Sequence, residues 1–116
     1  MPRDVRVHVE DMCVAADKIF TYVSNMSFDD FKKDEKTFDA VIRNLEIIGE
    51  AAKQIPDEIR DKYPDIEWKK VSGLRDMLIH QYFGVDIEIV WDIISEKIPL
   101  LKKQLSSILE SLPKLK

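Results

Sequence analysis

With 116 residues, 45% of them hydrophobic, the chain fills a single domain over residues 1–116 and leaves no length for a second. Eighteen Lys and Arg against 22 Asp and Glu give a net charge of −4, which argues against a broad, non-specific nucleic-acid binder. Only 3 glycines and 5 prolines disfavour a turn-rich or all-β chain, no apolar run approaches the roughly 20 residues that span a bilayer, and Met1-Pro2-Arg3-Asp4 lacks the basic-then-apolar start of a signal peptide, so the chain reads as soluble and cytoplasmic.

The first element runs from about residue 3 to 25. Val9, Met12, Ala16, Ile19 and Val23 recur at alternating spacings of three and four, which places them on one helical stripe. Cys13 lies beside that stripe and has no second cysteine to pair with, so it reads as a buried, unreactive thiol. His8, with no cysteine or second histidine nearby, reads as structural. Ser24-Asn25-Met26-Ser27 breaks the pattern, Phe28 and Phe31 anchor a loop, and Ser27 or Asp34 caps the next helix.

A second helix is predicted from Asp34 to Ile55 on the stripe Val41, Leu45, Ile48, Ala52 and Ile55, with Gly49 and Ala51-Ala52 permitting close contact with a neighbour. Pro56 opens a short helix through Arg60, and Pro64 breaks the chain again. The third long helix spans Glu67 to Phe83, turns Trp68, Val71, Leu74, Met77 and Leu78 to the core, and ends on Gly84. Asp86 caps the fourth, which carries Ile87, Val90, Trp91, Ile94, Ile98, Leu101, Leu105 and Ile108 and is kinked by Pro99. Its last part, Lys97 to Lys116, holds five lysines and one acid, a local charge of +4 against −8 for the rest of the chain. That run suits either a solvated helix end or an RNA-facing surface. The fold class is all-α: a mainly antiparallel four-helix bundle with a short extra helix.

Chemistry concentrates at the end of the third helix. Gly73-Leu74-Arg75-Asp76-Met77-Leu78-Ile79-His80-Gln81-Tyr82 brings a guanidinium, a carboxylate, an imidazole and a phenol within eight residues. Histidine moves protons near neutral pH, and arginine grips a phosphate through two parallel hydrogen bonds. His80 would take the proton of a ribose 2′-hydroxyl or deliver one to the leaving oxygen, while Arg75 offsets charge building on phosphorus. Asp76 stands four residues before His80, placed to orient its ring. On a regular helix, however, Arg75 and His80 point about 140° apart, so one copy does not aim both at one phosphate and a symmetric dimer would supply the second set. No Glu-x-x-His pair, CxxC, glycine-rich phosphate loop or Gly-x-Ser-x-Gly elbow is present, so neither a metal nor a cofactor is expected.

Arg75, His80 and Tyr82, in the order Arg-x4-His-x-Tyr, resemble the motif of HepT-like proteins in the HEPN superfamily. Ile48-Gly49-Glu50-Ala51-Ala52, Tyr63-Pro64, Trp68 and the run from Gly73 through Trp91 to Pro99-Leu100 resemble it too, covering roughly Val41 to Leu101. The resemblance implies a dimeric helical-bundle toxin that cleaves transfer or messenger RNA without a metal at a composite site, with Arg75 and His80 as the catalytic pair and Asp76 part of the site. It also implies a partner, a small MntA-like nucleotidyltransferase antitoxin that silences the toxin by transferring AMP to Tyr82. Two other readings stand beside it: a non-catalytic HEPN module that binds a nucleotidyltransferase or a nucleotide, and a scaffolding dimer with a vestigial motif, favoured by the acidic net charge.

Overall fold

The computed structural model describes residues 4–80 and 86–112, with the side chains of residues 79 and 80 outside that description. Among the described residues the chain is helical, without strands: α1 (Val5–Val23), α2 (Phe28–Lys33), α3 (Glu35–Lys53), α4 (Asp57–Lys62), α5 (Trp68–Ser72), α6 (Leu74–His80), α7 (Ile87–Asp92), a π-helical segment (Ile93–Lys97) and α8 (Ile98–Ser111). None of these helices is long and apolar enough to cross a membrane. The helix end expected at Gly84 lies outside the described residues.

Local chemistry explains where the elements start. Asp4 accepts the amide of Arg6 at 2.7 Å and opens α1. Asn25, at φ 64°, turns the chain after α1 in the left-handed region that asparagine tolerates. Ser27 and Asp30 then form a reciprocal capping box, which makes α2 a true helix where the sequence suggests a loop anchored by Phe28 and Phe31. Asp34 accepts the Thr37 amide at 3.0 Å to start α3, and that hydrogen bond holds its carboxyl below the usual carboxylate range. Asp86 caps α7 through the Glu88 amide at 2.9 Å.

Most positions of the predicted stripes form the core, with Val23, Val71, Met77, Ile87 and Trp91 partly buried against it. Val9, Met12, Ala16, Ile19, Val41, Leu45, Ile48, Ala52, Leu105 and Ile108 are all fully buried, and Leu74, Leu78, Val90, Ile98 and Leu101 join them. Helix α1 packs chiefly on α3 and α8, and α3 in turn carries α5 and α6 on another side. Arg6, at the start of α1, donates from Nη1 to the carbonyls of Leu109 (3.1 Å) and Leu112 (3.3 Å) at the end of α8, while Lys102 near the start of α8 pairs with Asp17 further along α1 at 3.1 Å. The two helices therefore run antiparallel. Arg60 of α4 closes the end of α3 in the same way, donating to the carbonyls of Ala52 and Ile55 at 2.8 and 3.0 Å.

Two long predicted helices are interrupted. The third divides at Gly73, where a β-carbon would lie 3.2 Å from the Lys69 carbonyl oxygen. The chain tightens there between α5 and α6, while the Gly73 carbonyl still accepts the Met77 amide at 2.9 Å. The fourth changes pitch ahead of Pro99. Proline has no amide to donate to the carbonyl four residues back, and just before it the Ile98 amide bonds Ile93, five residues back, so the expected kink takes the form of one π turn. Behind it, Trp91 packs between Phe28 and Phe31 with ring centroids 6.0 and 5.1 Å away, and this aromatic group ties α7 to α2.

Candidate active site

Gly49 fixes where α6 sits. A β-carbon at that position would lie 3.0 Å from the Arg75 nitrogen, 3.2 Å from the Val71 carbonyl and 3.3 Å from Leu74 Cβ, so α3 touches the α5–α6 junction backbone to backbone. The contact anticipated from Gly49 and the Ala51-Ala52 pair is realised at the residue that begins the candidate motif.

That closeness brings the charged edge of α3 beside α6. Glu50 Oε2 stands 3.4 Å from Arg75 Nε, Lys53 Nζ stands 3.4 Å from Asp76 Oδ1, and Arg75 Nη1 lies 4.0 Å from the same oxygen. All four side chains keep one third or more of their surface in water: 44% for Arg75, 55% for Glu50, 34% for Lys53 and 56% for Asp76. Exposed pairs of this kind each contribute about 0–1 kcal/mol. They orient Arg75 without locking it, and a backbone phosphate, whose two non-bridging oxygens share one negative charge and match the guanidinium's two-point grip, can displace Glu50 as its partner.

The sequence-predicted residues are brought together in part. Arg75 and Asp76 are adjacent in space as in sequence. Asp76, expected to orient His80, has its carboxylate beside Lys53 of α3. His80 closes α6, which is helical without interruption from Leu74, so position 80 lies about 140° around the helix from Arg75. Its imidazole lies outside the described residues, as do all atoms of Tyr82. Among the described residues no group of three or more His, Cys, Asp or Glu side chains is placed to hold a metal ion.

One neighbour escapes the sequence reading. A cleft of about 270 Å³ opens between α1 and α3 with Arg75 on its wall; its polar lining is His8 and Asp11 of α1 with Arg43, Glu46, Glu50 and Gln54. His8 reads as structural from the sequence because nothing in its local neighbourhood answers it. Only the packing of α1 on α3 places it near Arg75. The lysine-rich C-terminal run, by contrast, is partly engaged: Lys102 pairs with Asp17, and Lys97 stands 3.9 Å from Glu67. Glu67 itself is drawn below the ordinary carboxylate range chiefly by its hydrogen bond with Lys70, at 2.8 Å, which raises the lysine in return. Cys13 is buried, and burial pushes its thiol upward.

Comparison with known proteins identifies the family. The family model described as "Ribonuclease HepT-like" matches residues 12–108. The chain is 44% identical over 113 residues to "Putative RNase MJ0127" of Methanocaldococcus jannaschii, covering 97% of this chain and 93% of that protein. It is 43% identical over 109 residues to "Putative RNase TTE0752" of Caldanaerobacter subterraneus, covering 94% and 95%. It is 44% identical over 102 residues to "Probable ribonuclease HepT" of Thermococcus cleftensis, covering 88% and 93%. No solved structure matches it. The family match runs from the buried stripe of α1 to the last buried residue of α8 and contains Arg75, Asp76 and His80, so the chain belongs to the HepT-like ribonuclease family.

Proposed function

We propose that the chain is a metal-independent endoribonuclease toxin, cutting transfer or messenger RNA at a composite site made by two copies. The observation that carries this reading is Arg75, held exposed at the α3–α6 junction by a carboxylate that a phosphate can replace, on the same short helix as His80. In the reaction His80 removes the proton from a ribose 2′-hydroxyl, whose oxygen attacks the adjacent phosphorus as the bond from phosphorus to the 5′-oxygen of the next nucleotide breaks, and the imidazolium so formed returns a proton to that leaving oxygen. The products are a 2′,3′-cyclic phosphate and a 5′-hydroxyl. Arg75 bears on the phosphoryl oxygens as negative charge grows there. Because Arg75 and position 80 diverge by about 140°, the arginine of one copy and the histidine of the other serve one phosphate across a two-fold axis.

The test is incubation of unmodified protein and His80→Ala with total cellular RNA in excess chelator, reading fragment ends. Cyclic phosphate ends from the wild type and a drop of about 10²–10⁴-fold in the variant are expected, the range for a lost general acid or base. Equal cleavage by both proteins, or intact RNA with both, removes the assignment.

Silencing is proposed to come from a MntA-like nucleotidyltransferase that moves AMP from ATP to the Tyr82 hydroxyl, releasing pyrophosphate. An added phosphodiester and nucleoside at Tyr82, seven residues after Arg75 in the sequence, would compete with RNA for the guanidinium and repel its phosphates. Intact-mass and peptide mapping of protein made with and without that partner should place one AMP on Tyr82; an adduct on another residue refutes the assignment.

A second reading, a non-catalytic module that docks a nucleotidyltransferase or nucleotide, is favoured by one observation. Glu50 and Asp76 cancel the charge of Arg75 and Lys53, so this patch does not have the surplus positive charge typical of RNA surfaces. It expects His80→Ala to leave partner affinity unaltered.

A further inference from the structure

His8 is used neither by the fold's hydrogen bonds nor by the proposed cleavage chemistry. Its residue surface is 9% exposed, and among the described residues its ring has no hydrogen-bond or ion-pair partner. No described side-chain nitrogen or oxygen is both sealed and unpartnered, so the ring nitrogens of His8, one of the residues lining the cleft, keep some contact with solvent. Ring nitrogens that no protein group engages are available to a ligand's hydrogen bond. Asp11, one turn on along α1, shares the wall of His8, and opposite stand Arg43, Glu46 and Glu50 on one face of α3, with Gln54 at that helix's C-cap.

The volume sets the size of a guest. At about 270 Å³ the cleft falls just under the span of about 300–1,000 Å³ usual for drug-sized ligands, which suits a single nucleobase. The lining sets its polarity. Carboxylates accept and do not donate, and they repel a phosphate, so the cleft is unsuited to the RNA backbone and suited to a base edge rich in N–H groups.

We propose that this cleft takes the guanine base of the nucleotide whose phosphate Arg75 holds, an inference that rests on reading Arg75 as an RNA-phosphate residue. Guanine is the base whose Watson–Crick edge presents two adjacent donors, N1–H and the 2-amino group, matching the two oxygens of one carboxylate. Adenine and cytosine set an amino group beside a bare ring nitrogen, and uracil flanks its one N–H with carbonyls; a carboxylate meets repulsion from each. Glu46 is the acceptor. Its ion pair with Arg43 Nη1, at 3.9 Å, is long, its side chain is 28% exposed, and it is among the residues lining the cleft, so it remains able to accept two hydrogen bonds. His8 supplies a donor for guanine O6 or N7, and Arg75, on the same wall, stays with the phosphate.

The experiment is a proton NMR titration of the unmodified full chain with the 3′-monophosphates of guanosine, adenosine, cytidine and uridine, and with inorganic phosphate. The chain has two histidines, so His8→Gln identifies one imidazole signal and His80→Ala the other, and the assignment does not depend on either variant alone. Guanosine 3′-monophosphate should move the His8 signal to saturation at a concentration about tenfold below the other nucleotides, inorganic phosphate should leave it in place, and Glu46→Gln should erase the tenfold preference. Equal shifts with all four nucleotides, or no shift of His8 with any, overturn the assignment. Digestion of RNA separates this from the reading it rests on. Cleavage by the wild type with no preference for guanosine at the cut overturns the base site and leaves the ribonuclease, whereas guanine-selective binding without cleavage upholds the base site and removes the ribonuclease.

Discussion

Helix α1 meets α8 through buried aliphatic stripes and an arginine that satisfies the last carbonyls of the partner helix; α3 meets α6 through a glycine and two exposed ion pairs. The first contact draws its strength from area removed from water, at roughly 25 cal/mol per Å². The second draws little from its charges; Leu74 and Leu78 of α6 are buried, but it is the backbone approach at Gly49 that sets where Arg75 stands. A surface that must exchange a carboxylate for a phosphate is better built the second way, because a buried Arg75–Glu50 pair would be costly to open.

The sharpest separation of the two regions is Arg75→Ala. Removing the guanidinium should lower the rate of RNA cleavage by about 10²–10³-fold, the scale of one lost charge-stabilising donor, while Arg75→Lys restores only part because an ammonium lacks the planar two-point grip. Thermal unfolding should hardly move in either variant, since only exposed contacts are lost. A large loss of stability with activity intact would reverse the assignment of the two regions.

Gly49→Ala tests the positioning itself. The new methyl meets the Arg75 nitrogen, the Val71 carbonyl and Leu74 Cβ, none of which can swing aside, so α3 and α6 must part by some tenths of an ångström. The cost expected is about 1–3 kcal/mol, the usual scale of overpacking, read as a lowered urea midpoint. Cleavage should fall beyond what the folded fraction explains, because Arg75 moves with the backbone. An alanine variant matching the wild type in both measurements would show that the contact does not set the site.

The same contrast decides what was legible in the sequence. Buried stripes come from spacing alone, and Val9, Met12, Val41, Leu45, Leu105 and Ile108 all lie where the three-and-four pattern placed them. The motif's backbone register, and so the divergence of Arg75 and His80, comes from helical geometry in the same way. Helix α2 was legible in principle, since Ser27 and Asp30 stand at capping-box spacing, yet Phe28 and Phe31 drew it toward a loop reading. Pro99 marked the change of pitch but not its form, which depends on how the preceding carbonyls are satisfied. The partners of Arg75 and Asp76, and the approach of His8 to the same site, were out of reach. They are set by the angle at which α1 and α6 cross α3, which no local pattern encodes.

Arg6→Ala probes the quieter region and should have the smallest effect. Arg6 donates to Leu109 and Leu112 and pairs with Glu10 at 2.9 Å, so its loss leaves two carbonyls at the end of α8 without this partner. A hydrogen bond to a charged group contributes about 1.5–3 kcal/mol when it is well shielded, but these carbonyls are only half-buried and water can replace the guanidinium, so about 1 kcal/mol of destabilisation is expected. Amide hydrogen exchange should speed up in the last turn of α8 and leave α3 and α6 unchanged. Cleavage of RNA should match the wild type once the folded fraction is equal. If instead Arg6→Ala cut activity as deeply as Gly49→Ala, the α1–α8 clasp would be coupled to the site. The most direct route for that coupling is α1 itself, which carries Arg6 on one turn and His8 on the wall of the Arg75 cleft two residues later.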